Sequence, residues 1–153
     1  MADTIVNGKE YLLYVNAGGA PTDPDEITNY TVVGLLQTND FEDISEQLVS
    51  NNKSNGARTT TLAGNQTASL SGTVEWAHDV NAGQEIIWDA VKTTTAASKI
   101  LGWLVTSNVT GDTQLRGTGN ALSWSLSLPN NEIATADFEI SVDGDYTKEA
   151  VDA

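Results

Sequence analysis

Strict alternation of apolar and polar residues in two consecutive stretches is the feature that most constrains the fold of this chain. In residues 122–128 every second residue is apolar and the residues between are serines. In residues 134–142 apolar residues again alternate with short polar and acidic ones, including Asp137 and Glu139. Successive side chains of a β-strand point to opposite faces, so each stretch predicts a strand with one buried face. The turn-forming residues 129–132 predict that the two strands form an antiparallel hairpin.

The remaining patterns supply further strands and one helix. Strands are predicted at residues 9–15, 30–37, 67–76, 99–106 and 114–119. In residues 83–93 an apolar stripe at helical spacing predicts a helix of about three turns, with Asn81 as its N-cap. The predicted fold class is therefore mainly β: an antiparallel β-sandwich or barrel of about seven strands with one flanking α-helix.

Two segments are predicted to be irregular. Residues 38–64 are polar, contain scattered glycines and are too long for an ordinary connection, although residues 42–49 could form a helical turn. Loops longer than about 15 residues in a compact domain are usually functional or disordered. Residues 144–153 are predicted to be a short acidic C-terminal tail. We expect residues 1–153 to form a single domain, because a chain of this length typically builds one core.

The charge balance excludes several classes of partner. The chain has 21 acidic and 7 basic residues, a formal net charge of −14. Gripping DNA, RNA or an anionic membrane requires clustered Lys and Arg, so those functions are disfavoured. Residues 23–46 contain seven acids and no base, and residues 132–152 contain seven acids and one base, Lys148. This separation suits head-to-tail contacts between copies, while solubility alone is the simpler interpretation.

Residues that could carry out chemistry are sparse. The chain has no cysteine and one histidine, His78, which has no neighbouring set of metal ligands in the sequence. The Asp143-Gly144-Asp145 turn is too short for a calcium-binding loop. The four tryptophans lie in apolar patterns, so core packing is favoured over a sugar-stacking platform. No catalytic residue, cofactor-binding site or metal site is predicted, and the chain is not expected to be an enzyme.

Targeting features are also lacking. The N-terminal stretch has acid before its apolar residues and no basic region, which predicts no signal peptide. No stretch approaches the roughly 20 apolar residues that span a bilayer. We therefore expect no membrane partner.

The order of these elements resembles that of a known family. The resemblance depends on two stretches of sequence. They are NGARTTTLAGNQTASLSGTVEW, which leads into the strand at residues 67–76, and RGTGNALSWSLSLPNNEIATADFEISVDG, which contains the hairpin. Two strands and a long loop come before these two stretches, and a helix lies between them. In this order of elements the chain resembles the major tail tube proteins of long-tailed, siphovirus-type bacteriophages and of gene-transfer particles. The resemblance extends over nearly the whole chain.

The resemblance implies a structural virion protein. Members of that family are β-sandwiches flanked by a helix, and they form six-fold rings that stack into a hollow tube through which DNA is delivered. It implies copies of the same chain and other tail proteins as partners, double-stranded DNA that passes without specific binding, and no cofactor. It also implies a location in the virion tail after synthesis in the cytoplasm of a bacterial host.

Two sets of residues are expected to serve that function. The family's long loop reaches a neighbouring ring, so residues 38–64 are expected to be an assembly loop. The members of the assembly loop that carry charge are Asp40, Glu42, Asp43, Glu46, Lys53 and Arg58. Asp137 and Glu139 stand on the polar face of their strand and form a candidate lumen face, because an acidic wall does not adsorb DNA. The alternative is a monomeric β-sandwich binding module of the carbohydrate-binding or adhesin type.

Overall fold

In the computed structural model, which describes residues 6–50, 60–77 and 82–152, the two alternating stretches become central neighbours in one antiparallel sheet. The helix α1 spans Ala82–Lys92. The strands are β1 Leu12–Ala17, β2 Thr31–Val32, β3 Leu36–Ser50, β4 Thr60–Glu75, β5 Ile100–Thr106, β6 Thr113–Ser127 and β7 Thr135–Ala150. Their order across the sheet is β2-β1-β5-β6-β7-β4-β3.

The sheet curls around an apolar core, and α1 packs into the curl. Trp103 on β5 is fully buried, and its ring lies 5.9 Å from that of Phe41 on β3, so opposite parts of the sheet approach each other. The two outermost strands, β2 and β3, are not paired, so the sheet is not a closed barrel. The predicted fold class, mainly β with about seven antiparallel strands and one helix, is confirmed, and the strands form one curled sheet.

Burial along the central hairpin follows the sequence pattern, with two exceptions: Leu122, and Leu128, which lies just past the end of β6 and is 67% exposed. Ala136, Phe138 and Ile140 are buried on β7, while Asp137 and Glu139 between them are exposed. On β6 the prediction that Leu122 points inward is wrong, because its side chain is 54% exposed. The register shifts between Ala121 and Ser123, and such a β-bulge leaves its extra residue unpaired.

The prediction of irregular structure at residues 38–64 is wrong for residues 38–50 and 60–64. They belong to β3 and β4, which pair from Leu36↔Val74 to Ser50↔Thr60, and this also excludes a helical turn at residues 42–49. Neither of these two segments shows an apolar alternation strong enough to indicate a strand. Hydrogen bonds between β3 and β4 hold them together as a polar hairpin. Lys53 and Arg58, together with His78 and the predicted N-cap Asn81, lie outside the described residues.

Other boundaries also shift. The predicted acidic tail is an extension of β7 as far as Ala150, because Glu149 pairs with Gln114 on β6. The predicted strand at residues 30–37 is divided between β2 and β3, with Leu35 at a positive φ of 55° between them. The patterns at residues 114–119 and 122–128 form the single strand β6.

The N-terminus of α1 is fixed by close packing against the strand ends. The buried Gln84 amide donates hydrogen bonds to the carbonyl oxygens of Gly34, at 3.1 Å, and Glu75, at 2.9 Å. Gly83 lies so close to β2 that a Cβ there would overlap the Val32 carbonyl oxygen. The helix therefore ties the end of β4 to the connection between β2 and β3.

We predict that Gly83→Ala lowers the free energy of unfolding by about 1–3 kcal/mol, as forced overpacking does. This loss should outweigh the gain of roughly 1 kcal/mol in helix propensity. Urea unfolding measures the change. Gly8→Ala is the control, since a Cβ there meets nothing within 4 Å. Equal stability of the Gly83 variant and the parent protein would contradict the close contact.

The extension of β7 is held by an ion pair. Arg116 Nε lies 2.6 Å from Glu149 Oε1, and Gln114 Nε2 donates to the same oxygen at 3.0 Å. The hydrogen bond from Arg116 holds the pKa of Glu149 below its ordinary value of 4.5. A carboxyl whose pKa is lowered by folding stabilises the fold above its unfolded-state pKa and loses that contribution as the pH falls through the folded-state value.

We therefore predict that Glu149→Gln costs about 0.5–1 kcal/mol of unfolding free energy at pH 7, within the range of partly exposed pairs. The difference from the parent should shrink as the pH falls from the ordinary value of 4.5 through the lower folded-state pKa, because the parent carboxyl then takes up a proton. Urea unfolding at pH 7 and at pH 3 tests this, with the exposed Glu10→Gln as control. A difference that stays the same at both pH values would rule out the ion pair as its cause.

Candidate functional site

The outward face of β3, β4, β7 and β6 is a continuous surface of hydroxyl and acidic side chains. Strand pairing aligns Asp40, Ser71, Glu139 and Ser123 in one row across the four strands. The row spans about 14 Å at the usual strand spacing. We call this surface the hydroxyl–acid face, and its residues are Thr38, Asp40, Glu42, Ser69, Ser71, Thr73, Glu75, Ser123, Ser125, Ser127, Thr135, Asp137, Glu139 and Ser141.

The hydroxyl–acid face carries five carboxylates and neither Lys nor Arg. Thr73 Oγ1 donates to Asp137 Oδ1 at 2.6 Å, and Gln37 Nε2 donates to Glu75 Oε1 at 3.2 Å. In the described part of the chain, none of the five carboxylates has a salt-bridge partner. Among the described residues, therefore, no fixed cation neutralises their negative charge.

The structure brings together acids that the sequence analysis assigned to different functions. Asp137 and Glu139 lie on the hydroxyl–acid face, as their alternation predicted. Asp40 and Glu42, predicted as part of an assembly loop, lie on the same face two strands away. Sequence reasoning did not assign Glu75 to the site, although its position on the polar side of an alternating stretch was a visible signal.

Two other acids predicted for the assembly loop are placed differently. The Asp43 carboxylate accepts a hydrogen bond of 2.7 Å from the Tyr146 hydroxyl, and this bond raises the pKa of Tyr146. Asp43 thus ties β3 to β7 instead of joining the hydroxyl–acid face. Glu46 is exposed, farther along β3.

Beyond Glu42 the β3–β4 hairpin leaves the rest of the sheet. Pairing of β4 with β7 ends at Ser69↔Ser141, whereas pairing of β3 with β4 continues to Ser50↔Thr60. We call residues 44–50 and 60–67 the β3–β4 arm. Three apolar side chains of the arm are about half exposed or more: Ile44 at 49%, Leu48 at 47% and Val49 at 63%. A two-stranded ribbon is only marginally stable in water, so such an arm is suited to docking.

A second apolar surface lies at the other end of the strands. Trp88 on α1 stacks on Trp124 of β6, with ring centroids 5.7 Å apart and 15° between the planes, and packs edge-on against Trp76 at 6.1 Å. Leu128 and Ile133, in the β6–β7 turn, are 67% and 66% exposed. We call these five residues the tryptophan patch. The prediction of core packing is confirmed in full for Trp103, whereas the tryptophans of the patch are half-buried.

Within residues 6–50, 60–77 and 82–152, no cluster of three or more His, Asp or Glu side chains is arranged to hold a metal ion. The helix in this part of the chain is also too short to cross a membrane. The site is therefore described by its surfaces: the hydroxyl–acid face, the β3–β4 arm and the tryptophan patch.

Comparison with known proteins gives a family and a set of similar folds. The family model described as phage tail tube protein matches residues 5–148. A comparison with curated protein sequences gives no match.

Three solved structures show the fold similarity. A chain from the tail of an empty gene-transfer-agent particle, refined with C6 symmetry, matches 95% of this chain and all of its own length, with a TM-score of 0.68 and 17% identity. The SPP1 tail tube protein matches 97% of this chain and 81% of its own length, with a TM-score of 0.73 and 14% identity. A chain of the anti-feeding prophage baseplate matches over the full length of both chains, with a TM-score of 0.67 and 11% identity.

The match over residues 5–148 shows that the chain belongs to the phage tail tube protein family. The resemblance stated from the sequence is thereby confirmed. The chain is a structural protein of the tail tube of a virion or gene-transfer particle, and its family is not a class of enzymes.

Proposed function

We propose that this member of the tail tube family assembles, as one unit of residues 1–153, into six-membered rings that stack into a hollow tube. In this proposal the hydroxyl–acid face lines the channel, and double-stranded DNA passes along it without specific binding. Six-fold symmetry is stated for the gene-transfer-agent tail and for the anti-feeding prophage baseplate, which supports the ring size.

The hydroxyl–acid face is the observation that carries the channel assignment. Duplex DNA carries one negative charge per about 1.7 Å of its axis and adsorbs where Lys and Arg neutralise its phosphates. The hydroxyl–acid face offers five carboxylates and no cation, so it gives the phosphates no place to bind. Its serines and threonines are also short, which keeps the space in front of the sheet open. A wall of this composition favours passage over retention.

Ring formation requires two different surfaces on each copy to meet, because a cyclic interface of six copies is heterologous. β3 is the outermost strand on one side of the sheet, and one edge of this 15-residue strand is unpaired in the described structure. An open edge of that length readily pairs with another chain. We assign this edge to the contact between copies within a ring.

The β3–β4 arm is proposed to contact the adjacent ring. It projects past the last pair of β4 with β7 and carries exposed apolar residues that the described structure does not cover. The proposal retains the assembly function that was expected for residues 38–64, but assigns that function to paired strands instead of an irregular loop. Other tail proteins are expected at the two tube ends, and the chain is made in the host cytoplasm before it enters the virion.

We predict that the double variant Asp137→Lys/Glu139→Lys still forms tubes but delivers DNA poorly. The two changes add four positive charges per copy, about 24 around a six-membered ring, and create phosphate-binding positions where there were none. The titre of particles carrying the variant measures delivery, and negative-stain microscopy measures tube formation. The loss should be largest at low ionic strength, where screening is weakest.

The matched control is Glu10→Lys/Glu26→Lys, which makes the same change in charge at exposed positions away from the hydroxyl–acid face. We expect its titre to equal that of the parent. An equally normal titre for the Asp137/Glu139 variant would place that face on the outside of the tube. Failure of that variant to assemble would place the face in a subunit interface.

We predict that Leu48→Asp/Val49→Asp leaves the domain folded and the ring intact but abolishes stacking into tubes. Both side chains are exposed, so the change should have little effect on the unfolding free energy of the isolated chain, within about 0.5 kcal/mol. Buried charge at a docking contact is strongly unfavourable, so the ring–ring contact should be lost. Sedimentation velocity distinguishes monomer, ring and tube.

Val109→Asp is the control, because Val109 is similarly exposed at 54% but lies in the β5–β6 turn. Sedimentation should be run over a range of salt concentrations, since the net charge of −14 opposes association at low ionic strength. Tubes of normal length from the Leu48/Val49 variant would remove the arm from the stacking contact. A parent protein that stays a 16.2 kDa monomer throughout would contradict the proposed function itself.

A further inference from the structure

We infer that Tyr146 is a positioning residue for tube assembly, because its contact with Asp43 fixes the direction in which the β3–β4 arm leaves the sheet. The inference rests on the proposed function, since it names what orients the arm before rings stack. It concerns a hinge within one copy and requires no particular surface on the neighbouring ring. We call the hydrogen bond between the Tyr146 hydroxyl and the Asp43 carboxylate the tyrosine clamp.

The arm begins at a place where two neighbouring strands separate. β4 is paired with β7 as far as Ser69↔Ser141, and beyond that pair a polar cleft of about 620 Å³ opens between them. Both strands contribute residues to the cleft: Gln66, Thr67 and Ala68 from β4, and Val142, Gly144 and Lys148 from β7. An open cleft at its base leaves the arm room to move relative to the sheet.

The arm also has an irregularity in its own pairing. The register of β3 against β4 shifts between Ser45 and Gln47, and Glu46 there is opposite residues 64–65 of β4. A β-bulge of this kind interrupts the ladder of hydrogen bonds and bends the strands. The bulge lies just beyond Asp43, so it supplies a hinge next to the point that the tyrosine clamp holds.

A larger bulge in β7 brings Tyr146 to this hinge. On β6, Gly117 is opposite residues 144–146 of β7, so the β7 side of the pair is longer than the β6 side. Gly144 has a φ of 69°, in the left-handed region that glycine adopts readily. The Asp145 carboxylate accepts a hydrogen bond of 3.0 Å from the Tyr146 amide. The bulge therefore has local support of its own.

Tyr146 holds β3 with both its ring and its hydroxyl. A Cβ at Gly117 would lie 3.1 Å from the Trp103 ring and 3.3 Å from the Tyr146 Cβ, so glycine keeps this space open. The Tyr146 ring packs edge-on against Phe41, with centroids 4.9 Å apart, and its hydroxyl donates to Asp43 Oδ2 at 2.7 Å. Alternate residues of a strand share a face, so Phe41 and Asp43 together present one surface to Tyr146.

The direction of the arm affects assembly through the fraction of copies that can dock. An apparent dissociation constant equals the intrinsic constant divided by the fraction of molecules in the competent conformation. Without the clamp, the hinge lets the arm point in other directions, and that fraction falls. The loss of one hydrogen bond changes such an equilibrium by about three- to tenfold.

A set of variants separates the clamp from general effects of substitution. Tyr146→Phe removes the hydroxyl but keeps the ring against Phe41, and Asp43→Ala removes the acceptor at an exposed position. Asp43→Asn is the conservative variant, because its side-chain carbonyl can still accept from the hydroxyl. The matched control is Tyr11→Phe, which removes a hydroxyl that donates to the Thr113 carbonyl oxygen on β6 at 2.9 Å.

The distance between two spin labels measures the direction of the arm in single copies. The chain has no cysteine, so labels can be attached through Val49→Cys in the arm and Val109→Cys in the β5–β6 turn, where the parent side chains are 63% and 54% exposed. Labelled chains are diluted into unlabelled chains of the same variant, at low ionic strength. The parent, Asp43→Asn and Tyr11→Phe should each give one narrow distribution of distances. Tyr146→Phe and Asp43→Ala should give broad ones.

Assembly is measured on the unlabelled chains, as the concentration above which tubes sediment at a fixed salt concentration. We expect this critical concentration to rise about three- to tenfold for Tyr146→Phe and Asp43→Ala. It should stay at the parent value for Asp43→Asn and Tyr11→Phe. A hydroxyl that only stabilised the fold would lower the stability of Tyr146→Phe without broadening the distances.

The outcomes distinguish failure of this inference from failure of the proposed function. A narrow distribution for Tyr146→Phe, or equal broadening in Tyr11→Phe, would overturn the inference and leave the proposed function standing. Broad distances with an unchanged critical concentration would also overturn it, because the direction of the arm would then have no influence on stacking. Absence of tubes from the parent would contradict the proposed function itself, and with it the assembly role of the clamp.

Discussion

The two-residue period of the central hairpin is the constraint on which both the core and the polar surface depend. On β7, Phe138 is buried beneath β6 and β4, and its neighbours Asp137 and Glu139 must therefore stand on the opposite side. A slip of one residue would place two carboxylates in the core and Phe138 in water, which would cost far more than the stability of a typical domain can absorb. The fold thus fixes the acidic surface at the same time as it fixes the core.

How far the sequence predicted this structure depends on how local each signal is. The strands at residues 134–142 and 67–76 and the helix at residues 83–93 were predictable, because each has a regular apolar period over consecutive residues. β3 was not, because Asp40, Glu42 and Asp43 give it few apolar positions and its stability comes from pairing with β4. The β-bulge at Leu122 gives no sequence signal of its own.

The composition of the hydroxyl–acid face was only half predictable for the same reason. The sequence indicated that Asp137 and Glu139 face away from the core, yet it could not indicate that Asp40 lies in the same row. That row exists because β4 lies between β7 and β3, and the order of strands in a sheet is set by contacts between distant residues. The aromatic stack of Trp88 and Trp124 is equally non-local, since it forms only when α1 packs against β6.

The length of β4 has a mechanical consequence. This single strand is hydrogen-bonded to β7 along half of its length and to β3 along nearly all of it, and it continues from the wall of the sheet into the arm. A force applied to the arm along the strand direction therefore loads many inter-strand hydrogen bonds in shear at the same time. The same bonds would break one after another if the strand were peeled from its edge. A chain arranged in this way resists stretching along the strand far better than bending away from it, and a cylinder built from it would be stiff in tension and compliant in curvature.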